Sequence, residues 1–132
     1  MALEKIIVLD DELIIRKSLE AQLRKKKYIV ATAATIAEGE ALLQKDAFDL
    51  IFLDMRLPDG DGLQLLERMS AMPSRPMVIM MTGYGTIESA VKCMQLGAFD
   101  YLLKPFSSDQ IDIALKRAED SSQLMKLAQF YS

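Results

Sequence analysis

The sequence predicts an α/β fold in which five parallel strands form an open, doubly wound sheet with helices on both faces. Two observations support this fold class. Five short apolar runs recur along the 132 residues, and the stretches between them carry apolar residues at three- and four-residue spacing. The runs are nearly continuous in hydrophobicity, which is typical of strands covered on both faces. We therefore expect five successive βα units within one domain.

The predicted strands are apolar runs of three to six residues. In chain order they are Ile6 to Leu9, Tyr28 to Ala33, Leu50 to Leu53, Met77 to Met81 and Tyr101 to Leu103. Ligands of such sheets bind at the edge where the parallel strands end, so the polar residues that follow these runs are the first candidates for a site.

The predicted helices are marked by apolar faces and by signals at their ends. In chain order these are Ile15, Leu19 and Leu23 within a helix from about Glu12 to Lys26; the capping pair Thr35 and Glu38; the apolar residues Leu63, Leu66 and Met69; a stretch from about Thr86 to Leu96 before Gly97; and the capping pair Ser107 and Gln110.

The compact domain is expected to span residues 1–118, because the fifth βα unit is complete there. Residues 119–132 keep Leu124, Leu127 and Tyr131 at spacings of three and four. This pattern fits an amphipathic extension of the fifth helix that binds a partner, and it fits a frayed helical end equally well.

Composition excludes several functions. With 16 basic and 19 acidic residues and a net charge of -3, the domain offers no basic surface, so we expect no direct binding of nucleic acid. The absence of histidine and the single cysteine, Cys93, exclude histidine-based catalysis, Cys/His zinc sites and an internal disulfide. Residues 1–5 do not begin a signal peptide, and no apolar run approaches the roughly 20 residues that span a bilayer. We expect a cytoplasmic protein that does not enter a membrane.

Polar residues follow four of the five predicted strands. Asp10 and Asp11 follow the first, Asp54 the third, Thr82 the fourth and Lys104 the fifth. Each has an ordinary structural interpretation, such as Asp11 capping the first helix, Thr82 beginning a turn and Lys104 lying in solvent. Together these interpretations weaken, because three crowded carboxylates repel one another and are tolerated best beside a divalent cation.

The residue types at this edge fit one reaction. Oxygen ligands without sulfur or imidazole favour Mg²⁺, which commonly binds one or two carboxylates together with a phosphate. An aspartate beside Mg²⁺ is suited to forming an aspartyl-phosphate. Lys104 and Thr82 would then supply a charge and a hydrogen bond to the transferred phosphoryl group.

These motifs, taken as a set, resemble the receiver domains of two-component response regulators, which have a chemotaxis-regulator-like, flavodoxin-like fold. The matching features are Asp10 and Asp11 after VL, Asp54 in LIFLDMRLPDGDG, Thr82 in IMMTGYG and Lys104 in YLLKPF, at successive spacings of 44, 28 and 22 residues from Asp10. The resemblance covers residues 5–118.

The resemblance implies a signalling domain, not an enzyme, that catalyses only its own phosphorylation and dephosphorylation. It implies that a sensor histidine kinase supplies the phosphoryl group and that Asp54 accepts it. For Mg²⁺, it implies that Asp11 binds the ion directly, that Asp10 binds it through water and that the Arg56 carbonyl is a further ligand. It also implies that Thr82 and Lys104 bind the phosphoryl group and that the Lys104–Pro105 peptide is cis.

The family also implies a switch. Thr82 moves toward the phosphoryl group, and Tyr101 rotates inward to fill the vacated space. A new dianion that draws in a hydroxyl and biases a bistable loop agrees with this picture. The altered surface would comprise the fourth helix, fifth strand and fifth helix. That surface, or the C-terminal helix, is where a homodimer would form.

A narrower resemblance links DMRLPDGDG and TGYGTIESAVKCMQLGAFDYLLKPF to receivers of nitrogen-regulation-type activators that work with sigma-54 polymerase. It implies that residues 119–132 begin a linker to an output domain and that the output is transcriptional.

Two alternative functions fit parts of the same pattern. A Mg²⁺-dependent phosphohydrolase of the haloacid-dehalogenase type also forms an aspartyl-phosphate, but it needs its nucleophile after the first strand and a second Asp two residues on, where this chain has Asp10 and Glu12. A degenerate receiver could serve only as an interaction scaffold.

The sequence DGDG at Asp59 to Gly62 predicts a turn, because it lacks the residues of a phosphate-binding or calcium-binding loop.

Overall fold

Five parallel strands form one sheet in the computed structural model, which describes residues 2–131 of the chain. The elements, in chain order, are β1 (Lys5–Leu9), α1 (Leu13–Lys25), β2 (Ile29–Ala33), α2 (Ile36–Lys45), β3 (Leu50–Asp54), β4 (Arg56–Leu57), β5 (Gly60–Asp61), α3 (Gly62–Met69), β6 (Met77–Thr82), α4 (Ile87–Gln95), β7 (Asp100–Leu103) and α5 (Ser108–Tyr131). The order in the large sheet is β2-β1-β3-β6-β7, and all its neighbours are parallel. The predicted fold class is confirmed.

The sheet is buried on both faces, as its continuous apolar strands predict. In β1, Ile6 and Val8 belong to a core cluster that includes residues of α1 and α5. Ile7 and Leu9 alternate with them and belong to a second cluster that includes residues of α2, α3 and α4. All four are fully buried. Helices packed on both faces hold the strand ends in fixed positions relative to one another.

Two predicted helix-end signals are confirmed. After α4, Gly97 has a φ of 99°, the Gly97 N–H donates to Met94 O at 3.1 Å, and the Ala98 N–H donates to Cys93 O at 3.0 Å, which together form a Schellman motif. Before α5, residues 107 and 110 form the reciprocal capping bonds, at 2.7 and 3.2 Å.

The short antiparallel hairpin of β4 and β5, which follows β3, is not predicted from the sequence. Its register places Arg56 opposite Asp61. Strands of two residues leave no hydrophobic period, so the sequence indicates only the turn between them. The Gly62 N–H donates to Met55 O at 2.7 Å, which closes the hairpin. A Cβ on Gly62 would overlap the carbonyl oxygen of Asp54, so this close approach requires glycine.

Helix α5 continues without a break beyond residue 118 as far as Tyr131. Glu119 still contacts the rest of the domain, because its carboxylate accepts hydrogen bonds from the Leu3 N–H at 2.9 Å and the Tyr28 hydroxyl at 2.6 Å. Farther along, Lys126 Nζ donates to the Ala2 carbonyl at 2.8 Å. The domain therefore holds this helix beyond the boundary that the sequence suggests, while its role as a linker stays a prediction.

The apolar residues of this extension face solvent. Leu124, Leu127 and Tyr131 are exposed, whereas Ser132 lies outside the described residues. Within residues 2–131, no helix combines the length and hydrophobicity needed to cross a membrane.

Candidate functional site

Polar side chains meet where the parallel strands end. Asp54 and Thr82 are the last residues of β3 and β6, one position later than the sequence-based strand ends. Asp10 and Lys104 directly follow β1 and β7, and backbone bonds hold both: the Asp10 N–H donates to Ala33 O at 3.1 Å and the Lys104 N–H to Thr82 O at 2.7 Å. The sheet therefore fixes all four positions.

The Lys104 ammonium lies at the centre of the site. Its Nζ is 2.8 Å from Asp10 Oδ2, 2.9 Å from Glu12 Oε1 and 3.2 Å from Asp54 Oδ2. Only 9% of its side chain is exposed, and Asp10 is completely buried. One cation thus faces three carboxylates, which leaves an excess of negative charge when all three are ionised.

The acidic cluster includes a carboxylate that the sequence did not single out. It combines Asp10, Glu12 and Asp54, whose ligand oxygens lie within 4.8 Å of one another, whereas Asp11 is exposed and its carboxylate lies outside this group. The structural interpretation of Asp11 as the cap of α1 is wrong, because the N-cap residue is Glu12. Asp10 Oδ1 accepts from the Glu12 N–H at 2.8 Å, and this turn places Glu12 at the site.

Glu12 is the site residue that sequence reasoning missed. Its only signal is that it extends the acidic pair of Asp10 and Asp11 by one residue. In the sequence, Glu12 falls at the start of a predicted helix, where acidic residues are common for an unrelated reason, the helix dipole.

One carboxylate oxygen is left without a directed donor. Asp10 Oδ2 is fully buried and ion-paired with Lys104, yet it accepts no hydrogen bond among the described residues. A buried carboxylate oxygen in this situation is costly. A hard divalent cation satisfies such an oxygen, and the surrounding donors are all oxygens, so the residues fit Mg²⁺.

Burial and charge shift the pKa values of the site. Burial, reinforced by the neighbouring Asp10 carboxylate, raises the pKa of Asp54 to about 6, although Lys104 opposes this shift. For Lys104, burial alone would lower the pKa, but the close contacts with the Asp10 and Glu12 carboxylates and the charges of Asp10 and Asp54 outweigh burial and raise it. Lys104 is therefore charged at neutral pH, while Asp54 is held ionised at an energetic cost.

This cost predicts a pH dependence of stability. Because the pKa of Asp54 is raised to about 6, the folded state binds more protons than the unfolded state from about pH 4 to about pH 7, and Asp54 lowers stability progressively over that range. The variant Asp54→Asn cannot ionise. Without divalent cations, we expect it to gain about 1–3 kcal/mol of stability relative to wild type between pH 4 and pH 7. Urea denaturation of both proteins at pH 4 and at pH 7 measures the gain. A stability difference between variant and wild type that is the same at the two pH values would contradict the burial of this charge.

The remaining predicted residues lie at or just after the ends of β3, β6 and β7. Thr82 is buried, and its Oγ1 accepts from the Tyr84 N–H at 3.1 Å. The Arg56 N–H reaches Asp54 Oδ1 at 3.5 Å, a weak contact, and its exposed guanidinium lies 4.3 Å from the centre of the Tyr84 ring. The Lys104–Pro105 peptide is cis, as the family resemblance implies.

Tyr101 connects β7 to the start of α4. Its hydroxyl lies 3.0 Å from Ser89 Oγ. Ser89 Oγ also lies 3.0 Å from the Thr86 carbonyl oxygen, to which it donates, so these contacts join the Tyr101 hydroxyl to the first turn of α4. The ring is half-buried and packs against the core cluster beneath α4. Tyr101 therefore lies between the sheet and the helix that the proposed switch would move.

The family of the chain is shown by its sequence. The chain belongs to the response regulator receiver domain family, whose model matches residues 6–116. The fold and the acidic edge of the sheet agree with this membership, as do the positions of Asp54, Thr82 and Lys104.

Individual proteins and a solved structure that are similar to this chain support the same family assignment. The chain is 39% identical over 120 residues to the alginate biosynthesis transcriptional regulatory protein AlgB of Pseudomonas aeruginosa, covering 91% of this chain and 27% of that protein. It is 35% identical over 114 residues to sporulation initiation phosphotransferase F of Bacillus subtilis, covering 86% and 92% respectively. It matches the structure of a CheY-like receiver domain protein of Methanospirillum hungatei JF-1 with a TM-score of 0.87 and 32% identity, over 93% of this chain and 98% of that one.

The chain is thus a receiver domain of two-component signal transduction, a signalling domain whose relatives include transcriptional regulators. Receiver domains take phosphoryl groups from histidine kinases and bind Mg²⁺ at an acidic pocket, and some dimerise. The chain spans about a quarter of the length of AlgB. The phosphohydrolase alternative is not favoured, because Asp54, the candidate nucleophile, is at the end of the third strand rather than the first.

Proposed function

We propose that Asp54 accepts a phosphoryl group from a sensor histidine kinase and that this modification controls an output. One observation carries the proposal. The Asp54 carboxylate is 5% exposed at the edge of the sheet, 3.2 Å from a lysine and grouped with two further carboxylates. A purely structural residue gains nothing from this arrangement, since burial beside like charge is unfavourable.

The proposed magnesium ligands are Asp54, the acidic pair Asp10 and Asp11, and the carbonyl of Arg56. Support differs between them. Asp10 and Asp54 are grouped, and Asp10 has the unsatisfied oxygen described above. Asp11 is exposed, so its assignment rests on the motif alone. Bound Mg²⁺ would neutralise charge on the phosphoryl oxygens and let the carboxylates approach them.

The chemistry assigned to the chain's own residues is limited. An oxygen of Asp54 forms a bond to phosphorus as the P–N bond of the donor phosphohistidine breaks, and the histidine nitrogen keeps the bonding electrons and takes up a proton. Lys104 stabilises the charge on the phosphoryl oxygens, and Thr82 donates a hydrogen bond to one of them. In dephosphorylation, water attacks phosphorus as the bond between phosphorus and the Asp54 oxygen breaks, which releases inorganic phosphate and restores the Asp54 carboxylate. In this proposal the domain catalyses only its own phosphorylation and dephosphorylation.

The proposed output passes through Thr82 and Tyr101. We expect the Thr82 hydroxyl to turn toward a phosphoryl group on Asp54, and because its Oγ1 accepts from the Tyr84 N–H, this movement would displace the loop before α4. The surface above this loop carries exposed apolar residues, including Ile87, Val91 and Leu103. Such a patch suits a protein partner or a homodimer through α4, β7 and α5.

The remaining parts of the proposal concern the whole protein. We assign the exposed apolar residues of α5 to a linker, or to a dimer contact, that leads to a transcriptional output domain. A cytoplasmic location and the lack of direct nucleic-acid binding by this domain belong to the same proposal.

A phosphorylation assay tests the proposal. We expect incubation with a small acyl-phosphate donor and Mg²⁺ to add at most one phosphoryl group per chain, and chelation of the metal to prevent it. Intact-protein mass spectrometry gives the stoichiometry, and the phosphorylated sample should show shifted amide resonances at Thr82 and Tyr101. Sustained turnover of phosphate esters would favour the phosphohydrolase. Failure to bind Mg²⁺ would favour the interaction scaffold.

A further inference from the structure

Asp59, at the tip of the hairpin that follows Asp54, binds the first turn of α2. Its Oδ1 accepts from the Ile36 N–H at 2.8 Å and its Oδ2 from the Ala37 N–H at 3.0 Å. These N–H groups have no acceptor within the helix itself. The same two bonds lower the pKa of Asp59, so the carboxylate is ionised at neutral pH. A loop residue thus caps a helix that begins 23 positions earlier.

The hairpin links this tip to the phosphoacceptor site. Leu57 pairs with Gly60, and a Cβ on Gly60 would come within 3.0 Å of Ile36 Cδ1, so the tip lies directly against α2. At the other end, Arg56 is the first hairpin residue, and its N–H points to Asp54 Oδ1 at 3.5 Å. The Arg56 carbonyl therefore lies in a hairpin of only two residue pairs, whose tip is bound to α2 and whose first residue contacts Asp54.

We propose that Asp59 is a positioning residue for Mg²⁺ binding, because its bonds to α2 hold the hairpin that presents the Arg56 carbonyl. The inference rests on the proposed function, in which that carbonyl is a metal ligand. Ligands held in place before binding lose less conformational freedom when the cation arrives. Releasing the tip should therefore weaken Mg²⁺ binding although Asp59 does not touch the ion.

Thr35 provides a matched control. Its Oγ1 accepts from the Glu38 N–H at 3.1 Å, so it caps the same end of α2 from within the adjoining segment. Thr35→Ala and Asp59→Ala each remove a cap from this helix, and both should lower the urea midpoint. Only Asp59→Ala also releases the hairpin.

Calorimetric titration of the full chain with Mg²⁺ tests the inference. We expect Asp59→Ala to raise the dissociation constant about 3–10-fold, less than the loss of a direct partner of a metal ligand, and Thr35→Ala to leave it within about 2-fold of wild type. Asp59→Asn, which keeps a neutral acceptor, should fall between Asp59→Ala and wild type. In the metal-free protein, amide exchange at Gly62 should accelerate in Asp59→Ala and not in Thr35→Ala.

Two outcomes would overturn the positioning role. One is an unchanged dissociation constant in Asp59→Ala, and the other is an equal increase in both alanine variants, which would indicate loss of the helix alone. Failure of the proposed function looks different, because wild type itself would then show no Mg²⁺ binding.

Discussion

Replacing Asp54 with Asn is expected to abolish phosphorylation by an acyl-phosphate donor, with a fall in incorporation of about 100-fold or more. The amide of Asn is a poor nucleophile and forms no acyl phosphate, while its shape matches that of the carboxyl. Because burial raises the pKa of Asp54, the variant should also be the more stable protein at neutral pH without metal. Loss of labelling would then have a chemical cause.

Asp46→Asn is the control for this experiment. Asp46 is exposed and pairs with Lys5, which begins β1, so it lies at the opposite edge of the sheet from Asp54. We expect normal incorporation in this variant. Incorporation retained in Asp54→Asn, or lost equally in both variants, would contradict the assignment of Asp54.

Replacing Lys104 with Met should cause the second large effect. Met keeps much of the apolar stem, but the variant leaves the carboxylates of Asp10, Glu12 and Asp54 without the ammonium that now contacts all three. Removing one partner from buried ion pairs commonly costs several kcal/mol. We expect a loss of about 2–4 kcal/mol at neutral pH without divalent cations, measured by urea denaturation, and slower phosphorylation because the phosphoryl charge loses its lysine.

Two features of the Lys104→Met result identify its cause. The deficit should shrink on acidification, as protonated carboxylates no longer repel one another, and saturating Mg²⁺ should restore part of the stability. The control is Lys116→Met, which breaks an exposed pair with Asp120 at 2.8 Å and should change stability by less than about 0.5 kcal/mol. Equal losses in the two variants would contradict a central role for Lys104.

The sequence predicts the positions of the site better than it predicts the directions of its side chains. Asp10, Asp54, Thr82 and Lys104 could be found because each stands at the end of a buried apolar run, and parallel strands bring such ends together. The period of the strands and their common direction are sufficient for this prediction. The helix-end signals at Gly97 succeeded for a similar reason, since they act over a few neighbouring residues.

Features that depend on contacts between distant segments could not be predicted. Glu12 enters the acidic cluster because a hydrogen bond from its N–H to Asp10 sets the turn after β1. The order of acidic residues in the sequence does not reveal which carboxylate points into the site. The bonds from Asp59 to α2 join segments 22 and 23 residues apart, and those of Glu119 join segments 91 and 116 residues apart. No local propensity encodes such pairs, because packing of the whole domain brings them together.

Locating the phosphoryl group tests the central claim most directly. Borohydride reduction of the phosphorylated protein converts an aspartyl-phosphate to homoserine, and tandem mass spectrometry then identifies the modified residue. We expect homoserine at position 54, formed only when Mg²⁺ was present during phosphorylation. Homoserine at position 10 or 11, or a phosphoryl group that resists borohydride because it is attached to a hydroxyl, would contradict the claim that Asp54 is the phosphoacceptor.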